Sequence, residues 1–213
     1  MNARFGSIML ILVAAGALQG CVVPIMAAAG DATVVATDRR SVGVQLEDDR
    51  IESRIHRALD DVVPKNAMQI DVACYNRKCL LAGQVRTSQQ RTDAEASAQK
   101  VENIGQLINE LSVGDPDSLE HRADDTLLSG KVKTALLAAD GVPGGVVKTS
   151  VNSGVVYLFG KVTSSEGESA ATAASRVNGV RRVVKLFDLM TDQDMENLKK
   201  TREQAPSGAK GAQ

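Results

Sequence analysis

Apolar positions along the chain recur in two superimposable blocks. Leu80-Leu81-Ala82-Gly83-Gln84-Val85 is matched by Tyr157-Leu158-Phe159-Gly160-Lys161-Val162, with Gly83 and Gly160 standing 77 positions apart (160 − 83). The same offset carries Ile51, Ile55 and Leu59 onto Leu128, Val132 and Leu136. Residues four apart project from one side of a helix, so each triplet predicts a short helix with a buried stripe. A fixed internal period outranks every other feature of the pattern, because it makes the chain two domains of one kind.

Within each block the periodicities follow one order. After the helical stripe come two β-rich runs, at 146–151 and 155–158 in the second block, separated by Asn152-Ser153-Gly154. Gly154 supplies the positive φ that a tight hairpin requires, and Asn76-Arg77 occupies the same turn in the first block. An alanine-rich helix follows, at about 89–101 and 166–177, whose small side chains let it lie close on a sheet. Strands near 107–113 and 183–189 close each block. The expectation is α+β: αββαβ, twice.

That order resembles the BON domain, a small αββαβ module of the bacterial envelope. The resemblance rests on the apolar pair before Gly83 and Gly160, the alanine helix, and Val177-Asn178-Gly179-Val180. The first block departs from it with Asn103-Ile104-Gly105 where the second has Asn178-Gly179-Val180. The segment Ala36-Thr37-Asp38-Arg39-Arg40-Ser41-Val42-Gly43 looks like the lead-in of the dual-BON outer-membrane lipoproteins, between their lipid anchor and first domain. The expected organisation is a lipoprotein signal peptide at 1–20, an anchored linker at 21–47, domains at 48–113 and 124–190 joined by a linker at 114–123, and a charged tail at 191–213. A short helix running to about residue 203 opens that tail, and 205–213 has the Pro, Ser, Gly and Lys content of a disordered end.

The N-terminal pattern points to the same location independently. Arg4 gives a positive start, 8–13 is apolar, and Leu18-Gln19-Gly20-Cys21 places a small residue before the cysteine that lipoprotein processing acylates. The apolar stretch 8–18 covers 11 positions (18 − 8 + 1), against the ~20 needed to span a bilayer. Val22 follows Cys21 where an Asp would resemble an inner-membrane retention signal, so the outer membrane, periplasmic face, is the expected home. From Cys21 to residue 48 is 27 positions (48 − 21), a flexible reach of roughly 30 Å.

With Cys21 acylated, Cys74 and Cys79 remain as an even pair in an oxidising space. If Asn76-Arg77 is a two-residue turn, Tyr75 and Lys78 close it and the cysteines face each other in the next pair, at a separation of ~4.5 Å near the short end of disulfide geometry. The matching positions are Val151 and Val156. Two reduced hairpin cysteines are the alternative. A zinc site has too few thiols and no neighbouring histidine.

Composition excludes more than it proposes. Only 2% of residues are aromatic, and domains of this size with Val, Leu, Ile and Ala cores are marginal alone. Loss of the leader removes Arg4 only, leaving 24 basic against 26 acidic residues, so no electrostatic case for nucleic acid exists. His56 and His121 sit among polar residues without a nucleophile motif, and no phosphate loop, dinucleotide fingerprint or paired-His metal motif is present. Neither an enzyme, a cofactor nor a small-molecule substrate is expected.

The repeats differ instructively in their first helix. Span 127–139 contains Lys131 and Lys133 and no acid, whereas the matching 50–62 contains Glu52, Asp60 and Asp61 and has Arg50 in place of Leu127. Leu127, Lys131, Lys133 and Thr134 suit an anionic headgroup surface, each lysine adding ~1 kcal/mol near the membrane. Equally, Leu127 packs on the other domain and the lysines are merely solvated. Resemblance to the dual-BON lipoproteins implies the first reading, anionic phospholipid binding in support of envelope integrity. An adaptor for outer-membrane or cell-division proteins is the other class of function.

Overall fold

In the computed structural model, residues 38–63, 68–143 and 145–204 are described. The leader, Cys21, most of the linker and the 205–213 end lie outside them. The first repeat runs α1 (Val42–Asp60), β1 (Met68–Tyr75), β2 (Lys78–Val85), α2 (Ser88–Gln99) and β3 (Gln106–Val113). The second runs α3 (Leu119–Leu137), β4 (Lys148–Asn152), β5 (Val155–Phe159), β6 (Lys161–Val162), α4 (Ser164–Ser175), β7 (Arg182–Lys185) and β8 (Asp188–Leu189), and α5 (Asp192–Gln204) follows it. The αββαβ order holds in both, with the second repeat's long strands interrupted at Gly160 and at Leu186-Phe187.

Side-chain oxygens start the helices. Ser41 and Ser118 accept from Val44 N and His121 N, so α1 begins at Val42, ahead of residue 48, and α3 at Leu119, ahead of 124. Thr87 caps α2, and Thr163 with Glu166 forms a reciprocal capping box on α4. In each repeat the first two strands form an antiparallel hairpin, and the crossover helix returns the chain to pair the last strand parallel to the middle one. Asn152 is a strand residue paired with Val155, leaving Ser153-Gly154 as the turn.

The 77-residue period holds from Ser41 and Ser118 through Val85 and Val162 and then falls to 76, because one residue fewer joins β6 to α4 than joins β2 to α2. That shift explains the departure at Asn103. With the shorter period Asn103 matches Gly179, and both take positive φ, at 69° and 103°. Asparagine tolerates this left-handed position second only to glycine.

Alternate strand residues face opposite ways, and here both faces are buried. One face of the first sheet puts Cys74, Cys79, Leu81 and Val85 against Ile51, Ile55 and Leu59 of α1 and Ala94 and Ala98 of α2. The second repeat does the same with Val156 and Leu158 against Leu128, Val132, Leu136, Ala170 and Ala174. The outer faces meet each other: Ala73, Tyr75, Leu80 and Ala82 form one cluster with Tyr157 and Phe159. The order of layers is helices, sheet, sheet, helices. Each small repeat thereby gains a second apolar face that it could not bury alone.

Candidate functional site

A carboxylate from the first helix organises each hairpin turn. Asn76 and Arg77 have φ of 51° and 64°, Ser153 and Gly154 of 49° and 72°. Such turns leave two amides pointing outward, and Asp48 accepts both in the first repeat, from Asn76 N at 2.7 Å and Arg77 N at 2.8 Å. Asp125, at the matching position, accepts Ser153 N at 2.6 Å and Gly154 N at 2.9 Å. Beside the turn the repeats exchange bulk. Arg77 lies against Gly105 in the first, while Gly154 lies under the Arg181 side chain in the second, where an added Cβ would come within 2.8 Å of Arg181 Cδ.

The lead-in fills the first of these two turn sites. Arg40 Nη1 donates to the buried Asp48 at 2.6 Å and Nη2 to Asp38 at 2.6 Å, while its guanidinium lies 3.9 Å over the Tyr75 ring. Burial, helped by the Asp38 carboxylate, pushes the Tyr75 hydroxyl up to about 12, against the lowering effect of the Lys161 amide and the Arg40 guanidinium. That hydroxyl donates to Asp38 and accepts Lys161 N at 3.1 Å, which ties the first repeat to the second. Next to it Arg39 grips Glu166 with two hydrogen bonds of 2.7 Å and donates to Lys161 O at 2.8 Å. Lys78 reaches Asp188 at 2.8 Å, and Lys148 reaches both Glu52 at 2.7 Å and Cys74 O at 2.9 Å.

Asp117 stands in the second repeat where Arg40 stands in the first, 77 positions on. It accepts Ser153 Oγ at 2.6 Å and Gln84 Nε2 at 3.1 Å, and His121 Nδ1 lies 3.7 Å away. Here the turn site is open, as a groove of about 480 Å³ that also takes in Asp124, Asp125, Leu127, Lys131 and Arg181.

The outer face of α3 places the remaining residues anticipated above. Leu127 and Leu137 are 64% and 67% exposed, on the side opposite the stripe Leu128, Val132 and Leu136. Taking ~100° per residue, Gly130, Thr134 and Leu137 fall within ~80° of Leu127 on one side, with Lys133 ~120° round on that side and Lys131 ~40° round on the other. The four expected residues are therefore not one compact cluster. Leu127 and Lys131 share the groove, and Lys133 lies on the far flank, since residues two apart on a helix point ~200° apart. The Thr134 hydroxyl is engaged by Gly130 O at 3.0 Å. Neither lysine forms an ion pair among the described residues, whereas Arg50 and Arg54, the counterparts of Leu127 and Lys131, both lean on Glu47 at 3.8 and 3.6 Å.

Cys74 and Cys79 face each other across the first hairpin and are joined as a disulfide, with Cα atoms 4.1 Å apart, and Val151 and Val156 pair at the same register. Sequence reasoning missed the turn carboxylates and the arginine pair. The signal was present: Asp38-Arg39-Arg40-Ser41 and Asp115-Pro116-Asp117-Ser118 are the same four positions of the repeat.

The described residues form two fused α+β repeats, and their open surface includes a polar groove at the second turn and a helix face of apolar residues between lysines. The BON domain model matches residues 47–115 and 124–190, and the chain belongs to the BON-domain family. It is 34% identical to the outer membrane lipoprotein DolP of Haemophilus influenzae, over 80% of this chain and 89% of that one. It is 32% identical to the 21 kDa hemolysin of Actinobacillus pleuropneumoniae, over 71% and 78%, and 31% identical to osmotically-inducible protein Y of Escherichia coli, over 70% and 76%.

Proposed function

We propose that this chain is a non-enzymatic lipoprotein of the outer membrane, anchored through Cys21 on the periplasmic face, whose second repeat binds anionic phospholipid. The observation that carries the reading is the outer face of α3, where exposed Leu127 and Leu137 lie between Lys131 and Lys133. Leucines entering the acyl boundary while lysines on both flanks meet headgroups is the arrangement of a helix that lies on a membrane. The matching face of α1 has Arg50 and Asp60 in place of the two leucines. Among the described residues no helix is long and apolar enough to cross a membrane, so residence falls to the acyl anchor and to this face. Similarity to an outer membrane lipoprotein over most of both chains supports the location.

Sedimentation of the chain from residue 22 onward with phosphatidylglycerol vesicles tests the lipid face. Leu127→Glu should abolish binding, and Lys131→Glu with Lys133→Glu should weaken it more at low salt than at high salt, where the charge attraction is already screened. Wild-type binding by both folded variants would refute the assignment. For the anchor, Cys21→Ala should leave the chain unprocessed or missing from the outer-membrane fraction.

A further inference from the structure

The two turn sites are copies of one another, and only one holds an arginine. In the first repeat Asp48 carries the two turn amides and also receives Arg40 at 2.6 Å. In the second, Asp125 carries the two turn amides, and the position that would bring the arginine carries Asp117. A cationic plug has been exchanged for a second carboxylate, and the space it would occupy is the open groove. A separate observation comes from the far side of that cluster. Gln84, 7% exposed, spends its amide nitrogen on Asp117, Asn152 and Ser153, while its buried Oε1 has no donor among the described residues. Buried acceptors without donors are costly, so the cluster behind the groove, where Gln84 lies outside the lining itself, is short of hydrogen-bond donors.

We propose that this groove binds an arginine side chain presented by a partner protein, in the manner that Asp48 binds Arg40. Guanidinium suits it better than ammonium, because a planar fork of donors can meet Asp117 and Asp125 together, while an ammonium is a single point of charge. Leu127 and Leu128 on the groove wall favour an apolar residue beside that arginine. The basic groups already present do not fill the site: Arg181 gives Nη1 to Ser153 O at 3.1 Å, Lys131 lies at the wall with Leu127, and the exposed His121 ring stays 3.7 Å from Asp117. A phosphate would face three carboxylates here, so the groove itself does not suit a headgroup, although Leu127 and Lys131 border both it and the lipid face.

The test uses the full chain in neutral detergent and a fluorescent peptide, Ala-Leu-Arg-Leu-Ala with blocked ends, followed by anisotropy, with versions carrying Lys or Glu at the centre. The arginine peptide should bind tightest and the Glu peptide should not bind. Asp117→Asn should weaken binding about tenfold or more. Asp117→Arg recreates the plug of the first repeat, so it should abolish peptide binding in a chain that still unfolds cooperatively. Phosphatidylglycerol vesicle binding should survive Asp117→Arg, which keeps this proposal distinguishable from the lipid reading. Equal binding of the Glu peptide, undiminished peptide binding by Asp117→Arg, or loss of vesicle binding by that variant would overturn it.

Discussion

At the residue scale the sharpest constraint falls on Gly83. Its φ is +130°, and an added Cβ would lie 2.0 Å from Gln69 O, a backbone atom of the neighbouring strand that cannot swing aside. Gly160 occupies the same position of the second repeat with a milder approach, 2.8 Å from Val146 O. Glycine is required at Gly83 for two separate reasons, the left-handed side of φ and the closeness of the edge strand, and at Gly160 mainly for the second. Gly83→Ala should therefore cost about 3 kcal/mol or more, and Gly160→Ala less, as read from urea midpoints. Equal losses would mean that the sheet can open at both places.

The hairpins show what local pattern can and cannot reveal at the scale of an element. Stripes four apart follow from the helix period, the turn at Asn76-Arg77 from its match in the other repeat, and the facing of Cys74 and Cys79 from that turn, and the structure has each of them. Opposite Arg40 the periods are silent, because the carboxylate that receives it is fixed by the packing of α1 on a hairpin 28 residues further on (76 − 48). The placement of Lys131 and Lys133 on separate flanks follows from helix angle, but their significance depends on knowing which face the core takes. Covalent linkage of the cysteines closes only a short loop, so its stabilisation should sit on the low side of ~2–4 kcal/mol. Cys74→Val with Cys79→Val installs the pairing that Val151 and Val156 already make, and should lower stability by less than about 2 kcal/mol. Two alkylatable thiols in chain isolated from the periplasm without reductant would show that the link does not form in the cell.

For the whole molecule the decisive contact is the one that enters from outside both repeats. Residues 38–40 precede α1, yet Arg39 binds the capping glutamate of α4, so the lead-in segment is fastened to the second repeat before the first repeat begins. Burial alone would raise the Glu166 carboxyl; the Arg39 guanidinium and the Thr163 N–H more than reverse that, and hold it below its ordinary 4.5. A carboxylate lowered in the folded state adds stability that is present above about 4.5 and is lost as pH falls through the folded value. Arg39→Met removes the partner and leaves Glu166 half-stranded between the repeats, at a cost of up to about 3 kcal/mol near neutral pH. Because Glu166 would then prefer its proton, that loss should shrink on acidification, and the melting temperatures of variant and wild type should converge as pH falls below the ordinary 4.5 and through the folded value. Glu166→Gln should bring the same convergence from the other partner. A constant gap across that range would place the contribution of Arg39 in its packing and its bond to Lys161 O, and would leave the fastening of the two repeats to their sheet-to-sheet core.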